Sequence, residues 1–207
     1  MKELTKLWDK KATKSHKHFS KHVKGYKLKE FQDRFQKHVL NQLNFSKINT
    51  ALDWGCGGGI LAKEMSKHCQ VTLADLSKES LDEAIRYIGK PLKQIVVSDN
   101  WNELAKINVD LILCYDVIHH FPSIAYWKQV ASTWNKIGPK FIAARIKVKP
   151  KISENKDYFE GRNYLDGLFL NKKEIQEAFP GYSITYWTDD ITKISRRQVA
   201  QLILTKK

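Results

Sequence analysis

The spacing of apolar residues divides the chain near residue 48. Before that point the rhythm is helical. Leu4, Leu7 and Trp8 share one face and predict a helix over residues 3–24, which Gly25 interrupts. Leu28, Phe31, Phe35, Val39 and Leu43 predict a second amphipathic helix to about residue 44. Beyond residue 48, strand-like runs alternate with helical stripes. The runs are Thr50–Trp54, Gln70–Leu76, Lys93–Ser98, Val109–Tyr115 and Lys140–Val148. Between them fall a helix from about Gly58 to His68, a stripe of Leu81, Ala84, Ile85 and Ile88, and a stripe of Ile124, Trp127, Val130, Ala131 and Trp134. Val109–Tyr115 reads VDLILCY, nearly all apolar, as expected of a central parallel strand covered on both faces. Residues 149–170 are polar and irregular. A helix over Asn171–Phe179 and two strands, Tyr182–Trp187 and Gln198–Thr205, complete the pattern.

This alternation predicts an α/β fold with a doubly wound, mostly parallel sheet of seven strands, the last of them antiparallel. The boundaries are a basic N-terminal helical cap over 1–47 and an α/β domain over 48–207, with an insertion at 149–170. In such sheets the ligand sits beyond the carboxyl ends of the strands, beside the first one, where the strand order reverses. The sequence at that point is ALDWGCGGG, with four glycines in five residues. Glycine lets the backbone turn tightly and approach a ligand closely, and a helix that begins there offers free N–H groups to an anion. A dinucleotide loop, G-x-G-x-x-G, fails at Ile60. The pattern that fits is acid-x-G-x-G-x-G, carried by Asp53, Gly55, Gly57 and Gly59. Asp75 ends the second strand twenty residues after Gly55, placed to accept hydrogen bonds from both hydroxyls of a ribose. Asp99 ends the third, placed for an adenine amino group, with Trp101 near enough to stack.

With these residues in view, the chain resembles a class I S-adenosylmethionine-dependent methyltransferase over residues 48–207. The segments that carry the likeness are DWGCGGG at 53–59, LADLS at 73–77, SDNW at 98–101 and CYDVIHHF at 114–121. The resemblance implies a Rossmann-like methyltransferase fold and S-adenosyl-L-methionine as cofactor. It implies that Asp53 and the loop of Gly55, Cys56, Gly57 and Gly59 hold the methionine part, Asp75 the ribose and Asp99 the adenine. Leu76, Asn100, Trp101 and Tyr115 are expected around the same ligand, with Cys56 a small filler rather than a nucleophile.

Catalysis in this class is mostly positioning, and orientation alone contributes several kcal/mol. What remains is removal of a proton from the acceptor where one must leave. The HH pair after the fourth strand resembles that of small-molecule methyltransferases of the ubiquinone and natural-product type. His119 or His120 is then the base, since an imidazole titrates near neutrality, or the pair only orients its loop. Asp116, Tyr158, Arg162 and Tyr164 are the expected substrate contacts, with Asp166 on the same pocket, and by analogy of fold Tyr26 and Arg34 are expected near the cofactor carboxylate as the N-terminal helices close. Exocyclic-amine enzymes carry Asn/Asp-Pro-Pro-aromatic where this chain has YDVIHH. No cysteine follows a proline, as a cytosine C5 enzyme would need. A Lys-Asp-Lys-Glu ribose site finds Lys24 or Lys27, Asp116 and Lys147 but no late glutamate in QVAQLILTKK.

Composition narrows the partners. Three cysteines, Cys56, Cys69 and Cys114, show neither CxxC spacing nor an even-numbered framework, which suits a reduced cytoplasmic protein without a metal. No stretch approaches the roughly 20 apolar residues of a membrane span, and MKELTKLWDKK lacks the apolar core of a signal peptide. The net charge is +14, of which residues 1–49 carry +9, from 12 Lys and 1 Arg against 4 acids. A basic arm of this kind suits an acidic small molecule or a nucleic acid. Yet 30 Lys against 6 Arg also fits a compositional bias, since specific phosphate readers favour Arg forks. O-methylation of a small acidic molecule is therefore the first expectation, and action on or docking to RNA or another macromolecule the second.

Overall fold

The computed structural model describes residues 4–10, 25–90, 92–97, 100–148, 168–188, 190–191 and 198–207. The strands are β1 (Thr50–Trp54), β2 (Gln70–Asp75), β3 (Lys93–Val96), β4 (Leu111–Tyr115), β5 (Phe141–Lys147), β6 (Tyr182–Trp187), β7 (Asp190–Ile191) and β8 (Gln198–Lys206). The helices are α1 (residues 4–10), α2 (Gly25–His38), α3 (Ile60–Met65), α4 (Lys78–Ile88), α5 (Trp101–Leu104), α6 (Ile124–Ile137) and α7 (Lys172–Ala178).

The sheet runs in the order β3-β2-β1-β4-β5-β8-β6, with β7 also paired to β8. β6 and β7 meet successive stretches of β8, so they form one interrupted edge strand and the sheet has seven positions. β8 is antiparallel to β5, β6 and β7, and the ladders from β3 to β5 are parallel. The seven-position, mostly parallel sheet with one antiparallel strand is the one expected. Chain order reverses between β1 and β4, which opens a crevice at their carboxyl ends.

Burial explains the strand sequences. β4 is buried at all five positions and β1 at four of five, whereas the edge strand β3 is largely exposed. Two cores flank the sheet. One gathers Trp127, Val130 and Trp134 of α6 with Ile175 of α7 and Leu104 of α5. The other gathers Phe35 and Val39 of the N-terminal region, Leu61 and Met65 of α3, and Leu81 and Ala84 of α4. Helix ends are set by local chemistry. Ser77 and Ser123 accept N–H bonds from Ser80 and Tyr126 at the starts of α4 and α6, and left-handed Gly89 and Gly138 end them. Asn171 and Glu174 form a capping box on α7.

Several boundaries differ from expectation. α3 starts at Ile60, because Gly59 at φ +79° cannot be helical, and ends at Met65. β3 stops at Val96 and α2 at His38, where a 3-10 turn over Leu40–Gln42 takes over. α5 and β7 were not expected at all; four and two residues are too few to show a period. Of the first expected helix, residues 4–10 are helical and 11–24 lie outside the described residues. So does most of the 149–170 insertion. Among the described residues no helix is long and apolar enough to cross a membrane.

Candidate active site

The loop after β1 is shaped by the protein's own packing. Gly55, Gly57 and Gly59 have φ of +78°, +49° and +79°. A Cβ on Gly55 would stand 2.5 Å from Val117 Cγ2, and one on Gly59 would stand 2.8 Å from Ala84 Cβ. Gly57 has open space at that position. The loop is tied to β2: Gly55 N–H and Cys56 N–H donate to the Ala74 carbonyl at 2.7 and 3.2 Å, and Gly57 N–H donates to Asp75 Oδ2 at 2.9 Å. Asp75 Oδ1 accepts from Ser77 N–H at 3.0 Å. Asp75 thus fastens the glycine loop to the start of α4.

Two carboxyls sit at this crevice in unusual surroundings. Asp53 is buried, and burial with the nearby Asp75 charge pushes its carboxyl up to about 7. Among the described residues it has no ion-pair partner. Burial also raises the Asp75 carboxyl, against the backbone N–H bonds of Ser77 and Gly57, which favour its ionised form; Asp9 of α1 raises it further. Burial lifts the Cys56 and Cys114 thiols, helped by Asp75 and Asp53 at Cys56 and by Asp53 and Asp116 at Cys114, so both stay protonated. A buried acid of this kind is stabilised by a cationic group brought beside it.

Asp75, Gly55 and Gly57 line a cavity of about 290 Å³. Leu76, Ser80 and Val97 extend the wall toward β2 and β3, and Trp54 and Tyr115 contribute from β1 and β4. The turn after β4 supplies Asp116, Val117, His120 and Phe121, and Tyr126 comes from α6. Trp8 of α1 completes the lining, its ring edge-on to His120 with centroids 5.0 Å apart. Phe121 and Tyr126 meet edge-on at 5.1 Å. The wall is therefore aromatic around one imidazole.

The HH pair divides its labour. Both histidines lie in a 3-10 turn, Ile118–His120, with rings 3.9 Å apart. His120 faces the cavity, while His119 is buried and its carbonyl accepts from Leu168 N–H at 3.3 Å. Tyr115 donates its hydroxyl to Gln201 Oε1 and is flanked edge-on by Phe31 and Phe35 of α2 at 5.8 and 5.7 Å. Asp116 pairs with Arg145 of β5.

Of the expected residues, Gly55, Gly57, Asp75, Leu76, Tyr115, Asp116 and His120 come together on one cavity. Asp53, Cys56 and Gly59 lie outside its lining, in the loop and core that support it. Trp101 is not part of the lining either; its ring, on α5, packs edge-on against the lining residue Tyr126 at 5.4 Å. Asn100 stands at the start of α5. Asp99, Tyr158, Arg162, Tyr164 and Asp166 lie outside the described residues, as does the Tyr26 side chain. Arg34 instead pairs with Glu30 on α2 at 3.4 Å. Trp8, Val117, Phe121, Tyr126 and Arg145 were not anticipated. Val117, Phe121 and Tyr126 flank the HH motif, the one signal that pointed to them.

Residues 52–137 match a family described as a methyltransferase domain. The ubiquinone biosynthesis O-methyltransferase of Vibrio cholerae is 32% identical over 90 residues, 41% of this chain and 37% of that protein. The chain thus matches well under half the length of this curated relative. Among solved structures, the N-methyltransferase NodS from Bradyrhizobium japonicum WM9 with S-adenosyl-L-homocysteine has a TM-score of 0.63 at 10% identity, over 86% of each chain. The magnesium protoporphyrin IX methyltransferase of Synechocystis PCC 6803 with bound SAM has a TM-score of 0.60 at 15% identity, over 87% of this chain and 79% of that one.

Proposed function

We propose, on the premise that this chain is a class I S-adenosylmethionine-dependent methyltransferase by fold and by domain, that it methylates an oxygen of a small molecule by in-line transfer. One observation carries the reading: a single cavity is lined both by the Gly55–Gly57 loop with Asp75 and by His120 with its aromatic neighbours.

The residues fit the cofactor. The backbone of Gly55 and Gly57 reaches the cavity, Asp75 has carboxylate oxygens for ribose hydroxyls, and Leu76 and Val97 give an apolar wall for a base. Asp53, buried behind the loop with no ion-pair partner among the described residues, suits the ammonium end of the methionine part. When bound, S-adenosylmethionine supplies a sulfonium methyl already activated for displacement.

The chain's own work is then orientation and proton transfer. Trp8, Phe121 and Tyr126 exclude water and hold an apolar or planar acceptor. Holding the acceptor oxygen ~3 Å from the methyl carbon supplies several kcal/mol of the rate enhancement. His120 takes the proton, being the imidazole on the cavity wall. The likeness to an O-methyltransferase over 90 residues supports oxygen as the acceptor atom.

The lopsided charge favours a second reading, in which the arm over residues 1–49, at +9, docks the enzyme on RNA. Transfer of a labelled methyl group from S-adenosylmethionine into a cell extract separates the two. Label in the small-molecule fraction, identified by mass as a methyl ether or ester, is the expected result. Label in a large, nuclease-sensitive fraction overturns it in favour of the second reading.

A further inference from the structure

We infer that Arg145 is a positioning residue, acting through Asp116 to set the turn that carries Val117 and His120; the inference rests on the methyltransferase reading above for its cofactor-binding consequence. Asp116 is the one non-glycine residue with positive φ among those described, at +62°. Such a conformation persists in a non-glycine residue when its neighbours over-determine it. Arg145 supplies that constraint twice. Pairing of β4 with β5 sets Tyr115 opposite Arg145, and one residue further the Asp116 N–H points to the Arg145 carbonyl at 3.4 Å. The Arg145 guanidinium donates through Nη1 to Asp116 Oδ1. Backbone and side chain of Asp116 are therefore both directed by one residue.

The pair is placed to matter. The Arg145 side chain is 10% exposed against 34% for Asp116, so solvent screens the ion pair only in part. The guanidinium carbon also lies 5.9 Å from the Tyr115 ring centroid, which limits its freedom to swing away. Arg145 is absent from the cavity lining, whereas Asp116, Val117, His120 and Phe121 belong to it. The φ of residue 116 sets the direction in which the chain leaves β4. It thereby fixes Val117 against Gly55 and His120 beside Trp8. A charged residue inside the apolar run FIAARI of β5 is thus explained by the turn it holds.

The test is a cycle of single and double variants of the full chain, with S-adenosylhomocysteine as the calorimetric probe and circular dichroism as the control for folding. Glycine adopts positive φ freely, so Asp116→Gly keeps the turn without help from position 145. Arg145→Leu is expected to weaken binding roughly tenfold in the parent and less than about twofold in the Asp116→Gly background. Arg145→Lys, which keeps the charge, is expected to fall between the parent and Arg145→Leu. The histidine proton resonances of labelled protein give a readout that needs no ligand. The His120 signal, which senses the Trp8 ring, should move in Arg145→Leu and return in the double variant with Asp116→Gly. Equal losses in both backgrounds, or an unmoved His120 signal in Arg145→Leu, overturn the inference. If Arg145→Leu fails to fold, Arg145→Lys and Arg145→Gln enter the same cycle with the same criteria. A parent chain that does not bind the probe defeats the methyltransferase reading alone, and the His120 signal then decides the role of Arg145.

Discussion

Gly55 and Val117 are in contact across the crevice: a Cβ at 55 would lie 2.5 Å from one Val117 methyl carbon and 2.6 Å from the other. The glycine loop and the HH turn therefore define one wall between them. Gly55→Ala must both strain a backbone at φ +78° and displace Val117. Its expected effect is a loss of S-adenosylhomocysteine affinity of roughly tenfold or more, with a lowered melting temperature, about 1–3 kcal/mol in stability. Gly58→Ala is the control. Gly58 has no positive φ and open space at its Cβ, so stability should stay within ~0.5 kcal/mol. Calorimetry and thermal melts of both variants check the contrast; a Gly55→Ala protein that binds and melts like the parent refutes it.

Asp75 is a second shared support, since it holds Gly57 N–H and Ser77 N–H while facing the cavity. Asp75→Ala leaves the two N–H groups without their acceptor and removes the proposed ribose contact. Binding of S-adenosylhomocysteine should fall by roughly a hundredfold or more, since charge-assisted bonds contribute about 1.5–3 kcal/mol each. Asp75→Asn keeps one acceptor oxygen and should fall less. Calorimetric affinity unchanged in Asp75→Ala would remove this residue from the cofactor site.

Much of this arrangement was legible in the sequence because it rests on short-range or strongly patterned signals. A strand buried on both faces has to be apolar throughout, and Leu111–Tyr115 is. A loop that packs its backbone on Val117 and Ala84 must lack Cβ atoms, so the glycines stood out. What stayed hidden depends on tertiary placement. Trp8 read only as one position on a helical face, yet the fold brings it to His120. Arg145 sits in a strand whose inward and outward positions cannot be told apart when both faces are covered. His119 and His120 are adjacent in sequence, and only the 3-10 turn separates the buried ring from the one on the cavity wall. Trp101 read only as a ring placed to stack on a base, and its edge-on contact with Tyr126 depends on how α5 meets α6.

Asp53 makes a pH dependence. Its carboxyl is raised to about 7 in the fold, from an ordinary value of 3.8, by burial and then by Asp75. Between those values the folded state holds a proton that the unfolded chain has lost. The stability of the ligand-free protein should therefore decline as pH rises from about 4 to about 7, and level off above. Asp53→Asn, always neutral, should lack that decline. The opposite trend is expected for binding. An ionised Asp53 favours a ligand ammonium, so S-adenosylhomocysteine should bind more tightly as pH rises through about 7, by up to about tenfold per unit below it. Melts and calorimetry from pH 5.5 to 8 check both; parallel pH profiles for the parent and Asp53→Asn would show that this carboxyl is not responsible.

His120 and His119 should separate by kinetics, because only His120 faces the cavity while His119 packs beneath it. His120→Ala keeps the glycine loop and Asp75, so S-adenosylhomocysteine affinity should change by less than about threefold. Turnover on the acceptor identified by methyl labelling should fall about 100-fold or more, the contribution typical of a positioned general base. Raising the pH should recover part of that loss, as hydroxide replaces the missing base or the acceptor ionises unaided. His119→Ala should act the other way, lowering the melting temperature by opening a buried space beneath the His120 ring. Trp8→Ala removes the ring that meets His120 edge-on, and should raise KM for the acceptor more than it lowers kcat. If His120→Ala instead loses turnover and cofactor affinity in equal measure, with no recovery at high pH, then His120 is part of the cavity wall and the proton leaves by another route.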